Sequence, residues 1–99
     1  MTEYERQVSG MKTEDIKREY SNIQKEISKI NTSVGTYERG LGSMVKKPRL
    51  EQMKGEVHHN NGKYEVLQKR SPNKKYKTLI TAFKDDSLVK RIDKLIDKV

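Results

Sequence analysis

Residues 57–66 read VHHNNGKYEV, and the predicted fold depends on them. Asn61-Gly62 between two segments of alternating polarity is the favoured two-residue hairpin turn, because both residues tolerate positive φ. With these two residues in the loop, Val57 pairs with Val66 across the two strands. We therefore predict a β-hairpin over this segment.

A second turn and a third strand follow the predicted hairpin. The turn is expected at residues 71–74, where Pro72 takes its favoured early position. Residues 76–84 have the strongest strand composition, since β-branched and aromatic side chains are frequent there. The segment 53–83 is therefore expected to form a three-stranded antiparallel meander.

The region before this sheet carries an amphipathic helix. Thr13 is expected to cap it, and acidic residues follow in the first turn, where the helix dipole favours them. Its apolar residues alternate spacings of four and three, the a/d pattern of a coiled coil. Because this stripe is narrow, the helix needs a partner surface, which is either the predicted sheet or the same helix of a second copy. The residues of this candidate partner interface are Ile16, Tyr20, Ile23, Ile27 and Ile30.

A second amphipathic helix ends the chain. Residues 85–87, Asp-Asp-Ser, can cap it, and apolar residues follow at helical spacing from Leu88 to Val99. Its charged side chains are of both signs and are expected to form a solvated face.

The predicted fold class is α+β, with an N-terminal amphipathic helix, a three-stranded antiparallel β-meander and a C-terminal amphipathic helix in a single small domain. Its parts are a flexible N-terminus at 1–12, the helix at 13–33, a Gly-rich loop at 34–48, and the basic sheet with the last helix at 49–99. At the start of the last part, one helical turn is expected to begin at Pro48 and to end at Gly55.

The composition is that of a small, highly charged chain. Its 99 residues are 36% charged and 31% hydrophobic, which allows a thin core and disfavours an enzyme with an enclosed pocket. The net charge of +8 favours nucleic acid, an anionic membrane or an acidic protein as partner. Residues 46–77 hold ten basic and three acidic side chains, whereas residues 1–45 hold seven of each. The excess is therefore concentrated in one third of the chain.

The basic side chains within residues 46–77 are the candidate nucleic-acid contacts. Lys and Arg gain affinity by displacing counterions from phosphates, and a nearby Tyr can stack on an unpaired base. The alternative interpretation is a solubilising surface whose tyrosines pack into the sheet. The candidate residues are Lys46, Lys47, Arg49, Lys54, Lys63, Lys69, Arg70, Lys74, Lys75, Tyr76 and Lys77, with Tyr64 interleaved among them.

The sequence indicates neither a metal site nor a catalytic site. The chain has no Cys, which excludes disulfides, thiolate metal sites and a Cys nucleophile. His58 and His59 are adjacent, so in a strand they point to opposite faces and do not ligate one metal together. Gly40-Leu41-Gly42 lacks the preceding strand and following helix of a phosphate-binding loop. We therefore expect a non-enzymatic protein without cofactor or metal.

No segment of the sequence predicts membrane insertion or export. No apolar run approaches the length of about 18 residues that a membrane span needs, and residues 1–6 lack the basic start and apolar stretch of a signal peptide. Lys outnumbers Arg 16 to 6 and Ala82 is the only alanine, a bias expected of an AT-rich coding sequence. Our hypothesis is a phage or mobile-element protein in the cytoplasm of a bacterial host.

Three functions are open at this point. The first is a small, non-enzymatic protein that binds the backbone of DNA or RNA through residues 46–77. The second is an inhibitor that binds a host or defence nucleoprotein enzyme by protein–protein contact, as small phage-encoded inhibitors of CRISPR effectors do. The third is a scaffold that forms a homodimer through the helix at 13–33. Composition does not distinguish these classes.

Overall fold

A computed structural model describes residues 2–41, 44–71, 74–75, 77–78 and 85–99, and over these ranges it contains helices and no strand. The helices are α1 (Glu3–Ser9), α2 (Thr13–Thr36), α3 (Lys47–Arg70) and α4 (Asp86–Lys98). A π-type turn, Tyr37–Leu41, extends α2. The predicted α+β class with its three-stranded meander is therefore wrong, and the described part of the chain is all-helical.

The predicted hairpin is replaced by the middle of α3. Among the described residues positive φ occurs at Gly40 alone, so Asn61-Gly62 does not form the two-residue turn. The buried side chains of α3 instead follow spacings of three and four, as a helix requires. One position of this stripe is the polar Asn60, which interrupts the apolar pattern in the sequence. The stripe comprises Leu50, Met53, Val57, Asn60, Tyr64 and Leu67.

The predictions for the segments next to the hairpin are also affected by the length of α3. Pro48 lies in the first turn of α3 as expected, but Gly55 lies inside the helix and does not end it. Of the predicted third strand, Lys77 and Thr78 are helical, and its other residues lie outside the described ranges. At the predicted second turn, Ser71 is the C-cap of α3, and Pro72 lies outside the described ranges.

The predicted helix at 13–33 is present as α2, with different ends. Its N-cap is Lys12 rather than Thr13, and the Asp15 carboxylate accepts a hydrogen bond from the Lys12 N–H at 3.3 Å. At the other end, the hydroxyls of Thr32 and Thr36 donate to the carbonyls four residues earlier at 3.0 and 3.1 Å. These hydroxyls therefore do not break the helix, and the loop predicted at 34–48 is helical as far as Arg39, after which Gly40 has a non-helical φ of 110°.

The two ends of the chain contain α1 and α4. The N-terminus predicted to be flexible forms α1, whose N-cap Thr2 accepts a hydrogen bond from the Glu5 N–H and whose Val8 is fully buried. The predicted C-terminal helix is present as α4, because the Asp85 carboxylate caps it by accepting from the Leu88 N–H at 3.1 Å. The short α1 is therefore anchored to the core by Val8 and by the partly buried Tyr4.

The helix α3 is the centre of the fold. Tyr20 contacts Tyr64, and Ser33 faces the same groove as Arg49, so α2 runs antiparallel to α3. The helix α4 is also antiparallel to α3, since Lys54 pairs with Asp93 near the α3 start. Closer to the end of α3, the side-chain amide nitrogen of Asn61 lies 3.4 Å from a carboxylate oxygen of Asp86, the first residue of α4.

The helix α1 lies along the remaining side of α3 in a parallel orientation. The Lys63 ammonium lies 5.5 Å from the centre of the Tyr4 ring, and Arg70 donates to the Ser9 carbonyl at 2.7 Å. The resulting bundle measures 45 × 25 × 17 Å. Its radius of gyration of 15.2 Å exceeds the roughly 13 Å of a compact chain of this length. The core is one continuous cluster that all four helices share.

Candidate nucleic-acid interface

The helix α3 separates the candidate basic residues into two groups. It has 24 residues, and at 1.5 Å per residue its ends are about 36 Å apart. Lys46, Lys47 and Arg49 lie at its start, and Lys69 and Arg70 lie at its end. The sequence suggested one continuous basic surface over 46–77, whereas the helix places these charges at opposite ends of an elongated molecule.

Two candidate residues in the middle of α3 connect helices. Lys54 is half-buried, and its ammonium lies 2.7 Å from an Asp93 carboxylate oxygen on α4. Lys63 is half-buried against α1, with its ammonium over the ring of Tyr4. Both positive charges are therefore engaged within the protein.

The cations at the start of α3 have acidic or polar neighbours. The Arg49 guanidinium donates to the Gln52 side chain at 3.1 Å and lies 3.9 Å from Glu56. Lys46 and Lys47 are exposed, and no acidic side chain lies in this first turn. Cations at a helix N-terminus are unfavourable with the helix dipole, so this turn is stabilised by Pro48 and core packing rather than by its charges.

An ion pair between α4 and the end of α2 lies on the other side of the molecule. Two nitrogens of the Arg91 guanidinium donate to the two Glu38 carboxylate oxygens at 2.6 and 3.2 Å. These hydrogen bonds lower the pKa of Glu38 below its usual range. Arg91 also donates to the side-chain oxygen of Asn31. This arginine is therefore committed to joining helices and is not available to an anionic partner.

The opposite end of the bundle gathers cations from three segments. Arg70 reaches the Ser9 carbonyl at 2.7 Å and so places the α3 end beside the turn that leads to α2. Because α2 starts where α3 ends, the first turns of α2 belong to the same region. Four residues after Arg70, the chain is again helical at residues 74–75 and 77–78. The exposed cations here, which we call the basic end, are Lys12, Lys17, Arg18, Lys69, Arg70, Lys74, Lys75 and Lys77.

The nearest acid of α2 is already engaged. One Asp15 oxygen accepts from the backbone N–H of Lys12, and the other lies 3.7 Å from the Arg18 guanidinium. An exposed pair of this kind is worth little in free energy and is screened by salt. The eight cations of the basic end outnumber Glu14 and Asp15, the two acids in the first turn of α2.

The predicted base-stacking tyrosine is a core residue. Tyr64 is 1% exposed, and its ring lies 5.8 Å from that of Tyr20 at 55°. Burial raises the pKa of Tyr64 to about 12. The other candidate, Tyr76, lies outside the described ranges. Within those ranges no aromatic side chain is exposed, so the alternative interpretation of packed tyrosines agrees with the position of Tyr64.

The side chains of the candidate partner interface on α2 are buried within a single copy of the protein. Ile23 is fully buried and Ile16, Ile27 and Ile30 are nearly so, while Tyr20 is half-buried against the same cluster. The surface that covers them is helical, formed mainly by α3, and not the predicted sheet. A homodimer through α2 stays a prediction, and these side chains are occupied by packing within one copy.

The outer side of α2 carries a further surface that was not among the predicted site residues. Counting at 100° per residue, the side opposite the isoleucines carries lysines and small hydroxyl residues and, beyond the first turn, no acid. Its residues, which we call the α2 stripe, are Ser21, Lys25, Ser28, Lys29 and Thr32, and all are exposed. Their spacing is visible in the sequence, but residues 1–45 are neutral as a whole, so net charge per segment does not reveal these lysines.

An open groove of about 510 Å³ lies between α1 and α3. Tyr4, Gly62 and Val66 contribute to its surface, and His58 and His59 lie along it. In the parts of the chain that the structure describes, no three His, Asp or Glu side chains are placed to hold a metal ion. Among the helices described, none combines the length and hydrophobicity of a membrane-spanning segment.

No protein-family model, no curated protein and no solved structure matches this chain. The function is therefore argued from the surface of the molecule.

Proposed function

We propose that this chain is a small, non-enzymatic protein that binds the phosphate backbone of nucleic acid through the basic end. The observation that supports it is the hydrogen bond from Arg70 to the Ser9 carbonyl, which places the cations at the end of α3 beside the start of α2, with Lys74, Lys75 and Lys77 following a few residues later in the chain. Such a cluster repels itself unless an anion offsets it. Each phosphate that a Lys or Arg neutralises releases counterions, which gives affinity and a strong dependence on salt.

The chemistry of the basic end favours binding without sequence selectivity. Its side chains are mostly lysines, which bind phosphate as point charges, whereas base reading relies on bidentate Arg, Asn or Gln in a groove. This proposal narrows the predicted surface of 46–77 to its C-terminal part and adds residues of α2. Lys46 and Lys47 lie roughly a helix length away and contribute little.

The test is fluorescence anisotropy with labelled duplex DNA, single-stranded DNA and RNA across a salt series. We compare the chain with the double variant Lys69→Gln/Lys74→Gln and with the matched control Lys46→Gln/Lys47→Gln, which removes the same charge at the other end of α3. We expect the first variant to weaken binding and to reduce the salt slope by about 0.9 per lysine, and the control to change both less. Equal effects of the two variants, or no salt-sensitive binding by the unaltered chain, would overturn the proposal.

An alternative proposal is the inhibitor that binds a host or defence nucleoprotein enzyme by protein–protein contact. The groove between α1 and α3 supports it, because Tyr4 and Val66 offer apolar surface that phosphate binding does not need. In the anisotropy test, this alternative predicts weak binding of free nucleic acid at physiological salt. The phage or mobile-element origin and the bacterial cytoplasm stay proposals that rest on composition.

A further inference from the structure

We propose that the α2 stripe extends the interface and that a nucleic-acid duplex lies lengthwise along it. This inference rests on the proposed function, since the stripe begins next to Lys17 and Arg18 of the basic end. It adds a surface outside residues 46–77 and names the form of nucleic acid that the protein binds.

The first argument is the charge of this surface. Lys25 and Lys29 are exposed, and the residues between and beside them on the same face are Ser21, Ser28 and Thr32. Glu26 and Glu19 flank the stripe on one side, about 60° and 80° from Lys29 at helical spacing, and Glu26 lines the same groove as Lys29. The basic end therefore continues along α2 through the exposed Lys25 and Lys29, with Glu26 at one edge of the stripe.

The second argument is that the lysines of the α2 stripe extend further from the helix than the side chains beside them. Ser and Thr are short, and Thr32 folds back to donate to the Ser28 carbonyl at 3.0 Å. The longer lysines consequently stand above a low surface, and a wide partner can approach both ammonium groups without steric conflict. A bulky apolar residue on this face would have indicated a protein partner, and the stripe contains none.

The third argument distinguishes a duplex from a single strand. The stripe runs from residue 21 to residue 32, about 16 Å along a straight helix. A duplex presents one phosphate per roughly 1.7 Å of its axis, so about ten phosphates pass this length. Single-strand binders add exposed aromatic side chains on which bases stack, and the α2 stripe itself contains no aromatic residue. The surface is therefore suited to the high phosphate density of a duplex.

The experiment uses the double variant Lys25→Gln/Lys29→Gln in the full chain. Its matched control is Lys90→Gln/Lys94→Gln, which removes two exposed lysines from α4. The two double variants therefore have the same net charge. Glutamine keeps helix propensity close to that of lysine, and circular dichroism checks that both variants stay helical. Binding is measured by anisotropy with a 20-base-pair duplex and with one of its strands.

We expect the α2 variant to reduce the salt slope for the duplex by about 1.8 and the control to leave it nearly unchanged. We also expect the unaltered chain to bind the duplex at least tenfold more tightly than the single strand. If the α2 variant and the control behave alike while Lys69→Gln/Lys74→Gln still weakens binding, the stripe is not part of the interface and the proposed function stands. Equal affinity for the single strand would overturn the choice of a duplex. If the unaltered chain binds neither, the proposed function itself fails.

Discussion

The helices α2 and α3 have the same length of 24 residues and pack against each other, yet their sequences look unlike. The buried side of α2 consists of aliphatic residues at regular spacing. The buried side of α3 includes two amides, Asn60 and Asn61, and its outer side includes two glycines, Gly55 and Gly62. The difference shows that a central helix can be kept helical by its neighbours even where its own sequence favours a turn.

Position in the bundle explains the tolerance of α3. It packs against α1, α2 and α4, so most of its turns have a neighbour on more than one side. Tertiary packing supplies most helix stability in folded proteins. The helix α2 has a broad solvent side, so it depends on its buried aliphatic residues and on the Arg91 hydrogen bonds to Asn31 and Glu38 to stay on the bundle. The stability of α3 therefore depends on several neighbouring helices and that of α2 on its one buried side. Substitutions in each helix can test this difference.

The largest expected effect is the loss of a core side chain from either helix. Ile23→Ala in α2 and Leu67→Ala in α3 each remove a fully buried aliphatic side chain. Each should lower the free energy of unfolding by about 2 to 5 kcal/mol, because transfer and cavity terms add. Urea denaturation followed by circular dichroism measures both. A negligible effect of Leu67→Ala would show that α3 does not share the core with α2.

The amides of α3 are expected to cost stability. Asn60 is 4% exposed, and its side-chain oxygen has no hydrogen-bond partner among the residues that the structure describes. Asn60→Leu should raise the free energy of unfolding by about 1 to 3 kcal/mol, since it removes a buried unsatisfied acceptor. Asn61→Leu is the matched comparison and should gain less, because it also loses the contact with Asp86. Destabilisation by Asn60→Leu would place this residue outside the packed stripe.

The contact between α2 and α3 should make the fold sensitive to alkali. Burial raises the pKa of Tyr64 to about 12 from the ordinary value of 10.0, so the folded state keeps the neutral phenol where the unfolded state loses its proton. The associated stability is complete below pH 10 and falls as the pH rises to 12, by about 1.4 kcal/mol at pH 11. Urea unfolding at pH 9 and pH 11 measures this loss, and Tyr64→Phe should reduce it. An unchanged loss in that variant would argue that Tyr64 is exposed.

The smallest expected effect is that of replacing a glycine of α3 by alanine, and its sign distinguishes a helix from a hairpin turn. A Cβ added at Gly55 or Gly62 would meet nothing within 4 Å. Gly62→Ala should therefore stabilise the helix by about 0.5 to 1 kcal/mol, and Gly55→Ala should do the same. In an Asn-Gly hairpin turn the same change at Gly62 would destabilise, because alanine does not tolerate positive φ. The shift in thermal midpoint decides between the two.

The sequence allowed the prediction of α2 and α4, because their apolar residues follow helical spacing without interruption. It misled over α3, where Asn61-Gly62 is a strong local signal for a turn and Asn60 breaks the apolar stripe. The helical spacing of its apolar residues is interrupted at Asn60, and contacts distant in sequence, such as Tyr20 with Tyr64, favour the helix there. Local patterns do not include such contacts, so the sheet was expected where the central helix lies.

Part of the candidate interface could be predicted from the sequence, and the rest depends on how the helices pack. The cations of residues 46–77 were visible, but their division between two ends depends on the length of α3. The contribution of Lys12 and Arg18 depends on the packing of α1 and α2 against that helix. The α2 stripe could have been found from helical spacing alone, since α2 itself was expected.

The central claim is that α3 is one continuous helix, which sets both the fold and the separation of the basic residues. The chain has no Cys, so Glu51→Cys/Lys69→Cys allows two spin labels to be attached at exposed sites of α3. Electron–electron resonance then measures the distance between them. A continuous helix predicts about 27 Å over these 18 residues. A hairpin at Asn61-Gly62 would fold the segment back and bring the labels within about 15 Å, and that result would contradict the account.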